Sequence, residues 1–103
     1  APLKIRFPTR HSTMFIRRMH MYYVYIIQNE RKEIYTGYTS DLKKRLAEHS
    51  NGHVKSTKYH RWSLVYYEAY KSEKDARIRE LQLKTSSGSK RWLKERIKNS
   101  LNS

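Results

Sequence analysis

The chain has 103 residues, 37% of them hydrophobic, and no cysteine, which allows one modest core and excludes disulfides and a cysteine-based zinc site. Lys and Arg number 23 against 9 acids, a formal charge of +14, so a compact state repels itself unless a polyanion such as nucleic acid shares the surface. No run approaches the roughly 20 apolar residues that cross a bilayer, and Met14-Phe15-Ile16 is too short for a signal-peptide core, so the expectation is a soluble cytoplasmic protein with no membrane partner.

Residues 1–20 hold Lys4, Arg6, Arg10, Arg17 and Arg18, no acid, two prolines and no clear periodicity. They read as a poorly ordered basic extension, with the patterned domain spanning 21–103. That remainder still carries 18 basic against 9 acidic residues, so the charge belongs to the domain itself.

From Tyr22 to Gln28 the run Tyr-Tyr-Val-Tyr-Ile-Ile-Gln is β-branched and aromatic, the signature of a strand. Asn29-Glu30-Arg31 makes a turn, and a second strand follows from Glu33 to Tyr38. A three-residue loop over 29–31 places Tyr25 directly opposite Tyr35 on one face of the hairpin.

Thr39 or Ser40 can cap a helix from Asp41 to about His49, which Asn51-Gly52 stops. Leu42 and Leu46 form its buried stripe, and Arg45 and His49, four apart, stand one above the other beside it. Residues 51–61 form a polar loop with His53, Lys55, Lys58, His60 and Arg61, where Lys55 and Lys58 flank Ser56-Thr57. Trp62 to Tyr70 is a third strand.

Ser72 and Asp75 resemble a capping box opening a helix that runs to about Lys84. On it Glu80 shares a face with Ala76 and Leu83, and a carboxylate among apolar neighbours needs a reason. After a loop at Thr85–Ser89, a last helix from Lys90 to about Asn99 turns Trp92, Leu93 and Ile97 inward. The order β-β-α-β-α-α predicts an α+β fold, a small mainly antiparallel three-stranded sheet flanked by helices.

Several of these residues carry a resemblance. Tyr23-Val24-Tyr25, followed ten residues on by Tyr35-Thr36-Gly37, resembles the paired motifs of the GIY-YIG nuclease superfamily. The run from Gly37 to His49, with Arg45 and His49 on a capped helix, and the run Ala76–Lys84 around Glu80 extend the match over about residues 21–98. The likeness is closest to that family's small stand-alone bacterial members. Tyr23 stands where the name motif has glycine, and Trp92 lies where larger relatives have an asparagine.

The resemblance implies a metal-dependent endonuclease acting on nucleic acid, with DNA the substrate by analogy. It implies that Glu80 holds one Mg²⁺ or Mn²⁺ with waters completing the shell. Arg45 would offer its guanidinium fork to the phosphate. Tyr25 would be the general base, its acidity increased by Arg45 and the metal, with Tyr35 hydrogen-bonding to water or phosphate and His49 orienting Tyr25 or relaying its proton. Gly37 would admit close backbone approach where strand turns to helix.

Lys43, Lys44, Lys55, Lys58 and Arg61 are the expected nucleic-acid contacts outside that centre. Each residue also has an ordinary reading: His49 as a cation at a helix C-terminus, Glu80 as the i,i+4 partner of Lys84. The alternative for the whole chain is a non-catalytic nucleic-acid-binding module with the same fold and surface. Zinc at His49 and His53 is disfavoured, because Gly52 ends the helix between them.

Overall fold

A computed structural model describes residues 20–103. The expected basic extension at 1–20 lies outside the described residues but for His20. Three strands form one antiparallel sheet in the order β2-β1-β3, with β1 Tyr22–Asn29, β2 Ile34–Thr39 and β3 Trp62–Tyr70. Helix α1 (Leu42–Ser50) follows β2, and α2 (Glu73–Thr85), α3 (Ser87–Arg96) and the short α4 (Lys98–Leu101) follow β3. The α+β architecture matches the expectation. Among the described residues no helix is long and apolar enough to cross a membrane.

β1 is the central strand and is buried on both faces, as its nearly unbroken apolar run requires. Val24 and Ile26 point into a core made with Ala76, Leu83, Leu93 and Ile97 of the C-terminal helical segment. Burying a valine, leucine or isoleucine side chain contributes about 1.5–3 kcal/mol, so the five larger of these residues supply much of the cohesion. Tyr25, on the alternate face, is also fully buried.

The hairpin register differs from the sequence expectation. Asn29 and Glu33 close the loop, with Asn29 N–H donating to the Glu33 carbonyl at 3.0 Å and Lys32 taking φ 65°. The loop does have three residues, but they are 30–32, a turn followed by a left-handed residue. Asn29 Oδ1 accepts from the backbone of Arg31 and Glu33, at 2.9 and 3.0 Å, which holds it at the strand end. Every pair therefore slides by two: Tyr25 faces Gly37, and Tyr35 faces Ile27. A slip of two preserves the face, so Tyr25 and Tyr35 remain diagonal neighbours, ring centroids 6.4 Å apart.

The first helix is capped by Asp41 rather than Thr39 or Ser40; its carboxylate accepts from Lys44 N–H at 3.1 Å. Thr39 Oγ1 instead accepts from Asp41 N–H and so sets the entry to the cap. The helix stops as expected at Asn51-Gly52. Gly52, at φ +72°, donates to the His49 carbonyl, and His53 donates to that of Glu48, a Schellman closure. Leu42 and Leu46 are only half-buried; the deeply buried residue of α1 is His49.

Ser72 caps α2 by accepting from Asp75 N–H. The last helix begins earlier than expected, at Ser87, and breaks at Ile97. Leu93 and Ile97 turn inward, but Trp92 is 71% exposed, because the register that buries its two neighbours places its indole on the outer side. Glu68 on β3 ties the sheet to α2. It accepts two bonds from Arg79, at 2.9 and 3.1 Å, and the hydroxyls of Tyr66 and Tyr70. Burial beside that carboxylate pushes both phenols up to about 12.

Candidate active site

The face of β1 and β2 opposite the helical core carries Tyr25, Gly37 and Tyr35. A Cβ built on Gly37 would lie 2.2 Å from Tyr25 Cζ and 2.3 Å from its hydroxyl oxygen. Gly37 has no left-handed φ to justify it. It is needed mid-strand, to let the Tyr25 ring lie across the neighbouring backbone, and not where strand turns to helix as the sequence suggested.

Helix α1 covers this face and aims two residues at the Tyr25 hydroxyl. His49 Nε2 lies 2.7 Å from it, and Arg45 Nε donates to it at 3.4 Å. Arg45 also reaches Glu48 Oε1 at 3.7 Å. The aromatic box is completed by Tyr35, its ring centroid 5.3 Å from His49 and 6.3 Å from Trp62.

On its other side the His49 ring meets a residue of the cationic loop 51–61. Thr57 is fully buried, and its Oγ1 lies 2.7 Å from His49 Nδ1. The loop is anchored there from three directions: Thr57 N–H donates to the Val54 carbonyl at 3.0 Å, while the Thr57 carbonyl accepts from Trp62 Nε1 at 2.8 Å and from His60 N–H at 3.3 Å. The only signal in the sequence was the pair of uncharged residues Val54 and Thr57, three apart among cations, and both are buried.

Helix α2 closes the site from the β2 side. Glu73, Arg77, Glu80 and Lys84 follow helical spacing along one stripe. Glu73 accepts from the Tyr38 hydroxyl at 2.7 Å, and the Arg77 guanidinium stacks 3.7 Å from the Tyr38 ring centroid. Lys84 Nζ lies 3.1 Å from Glu80 Oε2 and 5.9 Å from the Tyr35 ring centroid. Glu80 is 18% exposed at its side chain, close enough for its charge to act on the Tyr25 phenol. Residues from β1, β2, α1 and α2 thus converge, and the expected Glu80–Lys84 pair is present within that convergence.

Burial governs the electrostatics. It raises the Tyr25 phenol above its ordinary value; Arg45 pulls the other way, and Tyr35 and Glu80 add to the rise. Desolvation outweighs the one guanidinium, which reaches the phenol only at long hydrogen-bond range. Burial, with Arg45 nearby, holds His49 below the ordinary histidine value, so the ring is neutral at neutral pH. A buried neutral imidazole is not the solvated helix-end cation of the ordinary reading.

Around this centre the cations fall in grooves. Lys44, Arg45 and Arg77, together with Asp41 and Glu48, line one of about 520 Å³. Lys84, Lys90, Arg91 and Lys94 line another of about 340 Å³, between the end of α2 and the start of α3. A further groove of about 690 Å³, beside Lys43, touches none of Tyr25, Tyr35, His49 and Glu80. Of the expected nucleic-acid contacts, Lys44 borders the centre. Lys43, Lys55 and Lys58 are exposed, Lys58 lying 4.8 Å from the Tyr59 ring centroid. Arg61 is exposed, and its backbone N–H donates to Glu30 at 3.1 Å. Lys84, Lys90, Arg91 and Lys94 were not singled out from the sequence as nucleic-acid contacts.

Among the described residues no three His, Asp or Glu side chains gather as metal ligands. The donor set fits a hard, largely hydrated ion held by the single Glu80 carboxylate, and does not fit an all-protein cage or zinc.

Comparison with known proteins bears on the same residues. Residues 21–96 match the family described as the GIY-YIG catalytic domain. UPF0213 proteins of Streptococcus pyogenes serotypes M5, M2 and M28 are each 48% identical over 58 residues, covering 52% of this chain and 61% of each relative. The chain thus spans about three fifths of the length of these curated relatives. No solved structure matches.

Proposed function

This chain belongs to the GIY-YIG catalytic domain family, and on that premise we propose that it is an endonuclease hydrolysing nucleic-acid phosphodiesters, DNA first among them, with one divalent ion. The observation that carries the reading is the meeting of the Tyr25–His49–Arg45 cluster with the Glu80 carboxylate of α2. A structural tyrosine would not need a glycine opposite, a buried neutral histidine on its hydroxyl and a carboxylate from a distant helix.

Glu80 would hold Mg²⁺ or Mn²⁺, which when bound polarises the phosphate and helps the departing oxygen. The other work falls to the chain's own side chains. Tyr25 Oη receives the proton of the attacking water as its own proton passes to His49 Nε2, 2.7 Å away. With its hydroxyl hydrogen-bonded to His49, the phenol works as a relay and His49 as the terminal base. Arg45 steadies the charge developing on the phosphoryl oxygens. Tyr35, whose ring packs beside Tyr25 and His49, orients water or phosphate.

Arg77, Glu80 and Lys84 sit three and four residues apart on α2, spanning about 10 Å at 1.5 Å per residue. They link the two cationic grooves, which gives a nucleic-acid strand a path across the centre. With Lys44, Arg45, Arg77, Lys84, Lys90 and Lys94 on six phosphates, affinity should fall about a thousandfold between about 50 and 200 mM salt. A fluorescence anisotropy titration that is flat with salt would remove this path.

Replacing Tyr25 by phenylalanine should lower the cleavage rate by about 10² to 10⁴ while leaving strand affinity intact. A single-turnover assay beside a binding curve separates the two; equal rates for Tyr25→Phe and the parent would exclude the relay. The direct test of the whole reading is incubation with supercoiled, nicked, single-stranded and branched DNA, with and without Mn²⁺.

The Glu80–Lys84 pair favours a second reading, a binding module whose carboxylate serves only its lysine. Binding without Mn²⁺-dependent cutting of any of these substrates selects that reading.

A further inference from the structure

The hydrogen-bonded chain at the base of the site runs Arg45, Tyr25, His49, Thr57, Val54. Its two inner links, Tyr25 hydroxyl to His49 Nε2 and His49 Nδ1 to Thr57 Oγ1, are each 2.7 Å. Its outer links are each 3.4 Å: Arg45 Nε donating to the Tyr25 oxygen, and the Thr57 hydroxyl donating to the Val54 carbonyl. The outer links are long and add little strength, yet they set direction. Arg45 has only donors, and the Val54 carbonyl can only accept.

A chain with a donor at one end and an acceptor at the other has one consistent orientation. The Thr57 hydrogen goes to Val54, so Thr57 Oγ1 accepts from His49 Nδ1–H. His49 Nε2 is then bare and accepts from the Tyr25 hydroxyl. The reverse orientation would put hydrogen on Nε2 and leave the Tyr25 hydrogen without an acceptor at a fully buried position. An orphaned buried donor costs about 1–3 kcal/mol.

From this we propose that Thr57 is a positioning residue that fixes His49 in the Nδ1–H tautomer, so that Nε2 stays free to take the Tyr25 proton. Its consequence for cleavage rests on the nuclease reading above; the tautomer itself does not. The loop geometry serves the same end. Trp62 and Val54 clamp the Thr57 backbone, so the hydroxyl meets the imidazole without freedom to turn away.

The test pairs Thr57→Val, which keeps shape and removes the hydroxyl, with Thr57→Ser, which keeps the hydroxyl. Long-range ¹H–¹⁵N correlation spectra of the histidine rings report which nitrogen of His49 carries the proton. The parent and Thr57→Ser should show Nδ1–H, and Thr57→Val should lose it. Cleavage should drop about 10- to 100-fold in Thr57→Val, by analogy with removing the orienting partner of a metal-ligating histidine, and should be restored in Thr57→Ser. In a His49→Ala background Thr57→Val should cost nothing further.

A parent spectrum showing Nε2–H overturns the proposal, and needs no variant to fold. So does a Thr57→Val protein that keeps the Nδ1–H form or cuts as fast as Thr57→Ser. If no substrate is cut by any protein while the spectra behave as expected, the nuclease reading fails and the tautomer assignment stands.

Discussion

Replacing Glu80 by alanine should give a protein that grips nucleic acid at least as tightly as before and no longer cuts it. Glu80 is the carboxylate at the meeting of α2 with the Tyr25 cluster, and among the described residues it belongs to no group of three ligands that could hold an ion without it. Without it a hydrated divalent ion has no anchor beside the phosphate. Cleavage in Mn²⁺ should then fall below detection, a larger loss than removing any single proton carrier.

The fold should hardly notice. The pair with Lys84 is a partly exposed i,i+4 contact, a kind worth about 0.3–0.5 kcal/mol, and alanine is the better helix former. Losing one negative charge and freeing Lys84 makes the path more cationic, so the electrophoretic shift should be retained or strengthened. Retained cutting by Glu80→Ala would show that the metal, if used, sits elsewhere. Loss of both binding and thermal stability would make Glu80 a structural residue.

Gly37→Ala is the second large effect, and it acts through packing. The new methyl would fall 2.2 Å from Tyr25 Cζ and 2.7 Å from Cε1, distances no relaxed structure contains. Tyr25 cannot turn aside cheaply. Its hydroxyl is held by His49 at 2.7 Å and its ring is fully buried. The strands must separate or the ring must leave its pocket. Overpacking of this kind costs about 1–3 kcal/mol or more.

For a domain of this size that amounts to several degrees of Tm. Cleavage should suffer beyond the stability loss, since the displaced atom is the phenol oxygen. A thermal melt and a cleavage assay on one preparation would show both. In a Tyr25→Ala background the same Gly37→Ala change should be nearly neutral for stability, because the ring it strikes is gone. An equal Tm loss in both backgrounds would show that Gly37 matters for some reason other than the ring.

These two residues also show how far one-dimensional reading reaches. Glu80 was conspicuous because a carboxylate shared a helical face with Ala76 and Leu83, and both neighbours are buried. Gly37 was conspicuous too, but for the wrong reason: it does not ease a turn into α1, it makes room for a ring on the next strand. The difference is one of partners. A glycine announces that space is needed, and only the register says for what.

By itself the sequence determined the strand-strand-helix-strand-helix order, the start of α2 through its Ser72 cap, the Gly52 stop, and the polyanion-seeking charge. Each follows from interactions within a few residues, or from a sum over the chain that ignores arrangement. Tertiary structure decided what depends on distant groups meeting. It moved the hairpin register by two, because Asn29 caps the loop one step away from where the turn residues suggested. It put Trp92 outside and Thr57 inside, because one helix phase and one loop path were chosen by the core. It also made Tyr25 a weaker acid than a free phenol, since desolvation is a property of everything packed around a group and of no residue beside it in the chain.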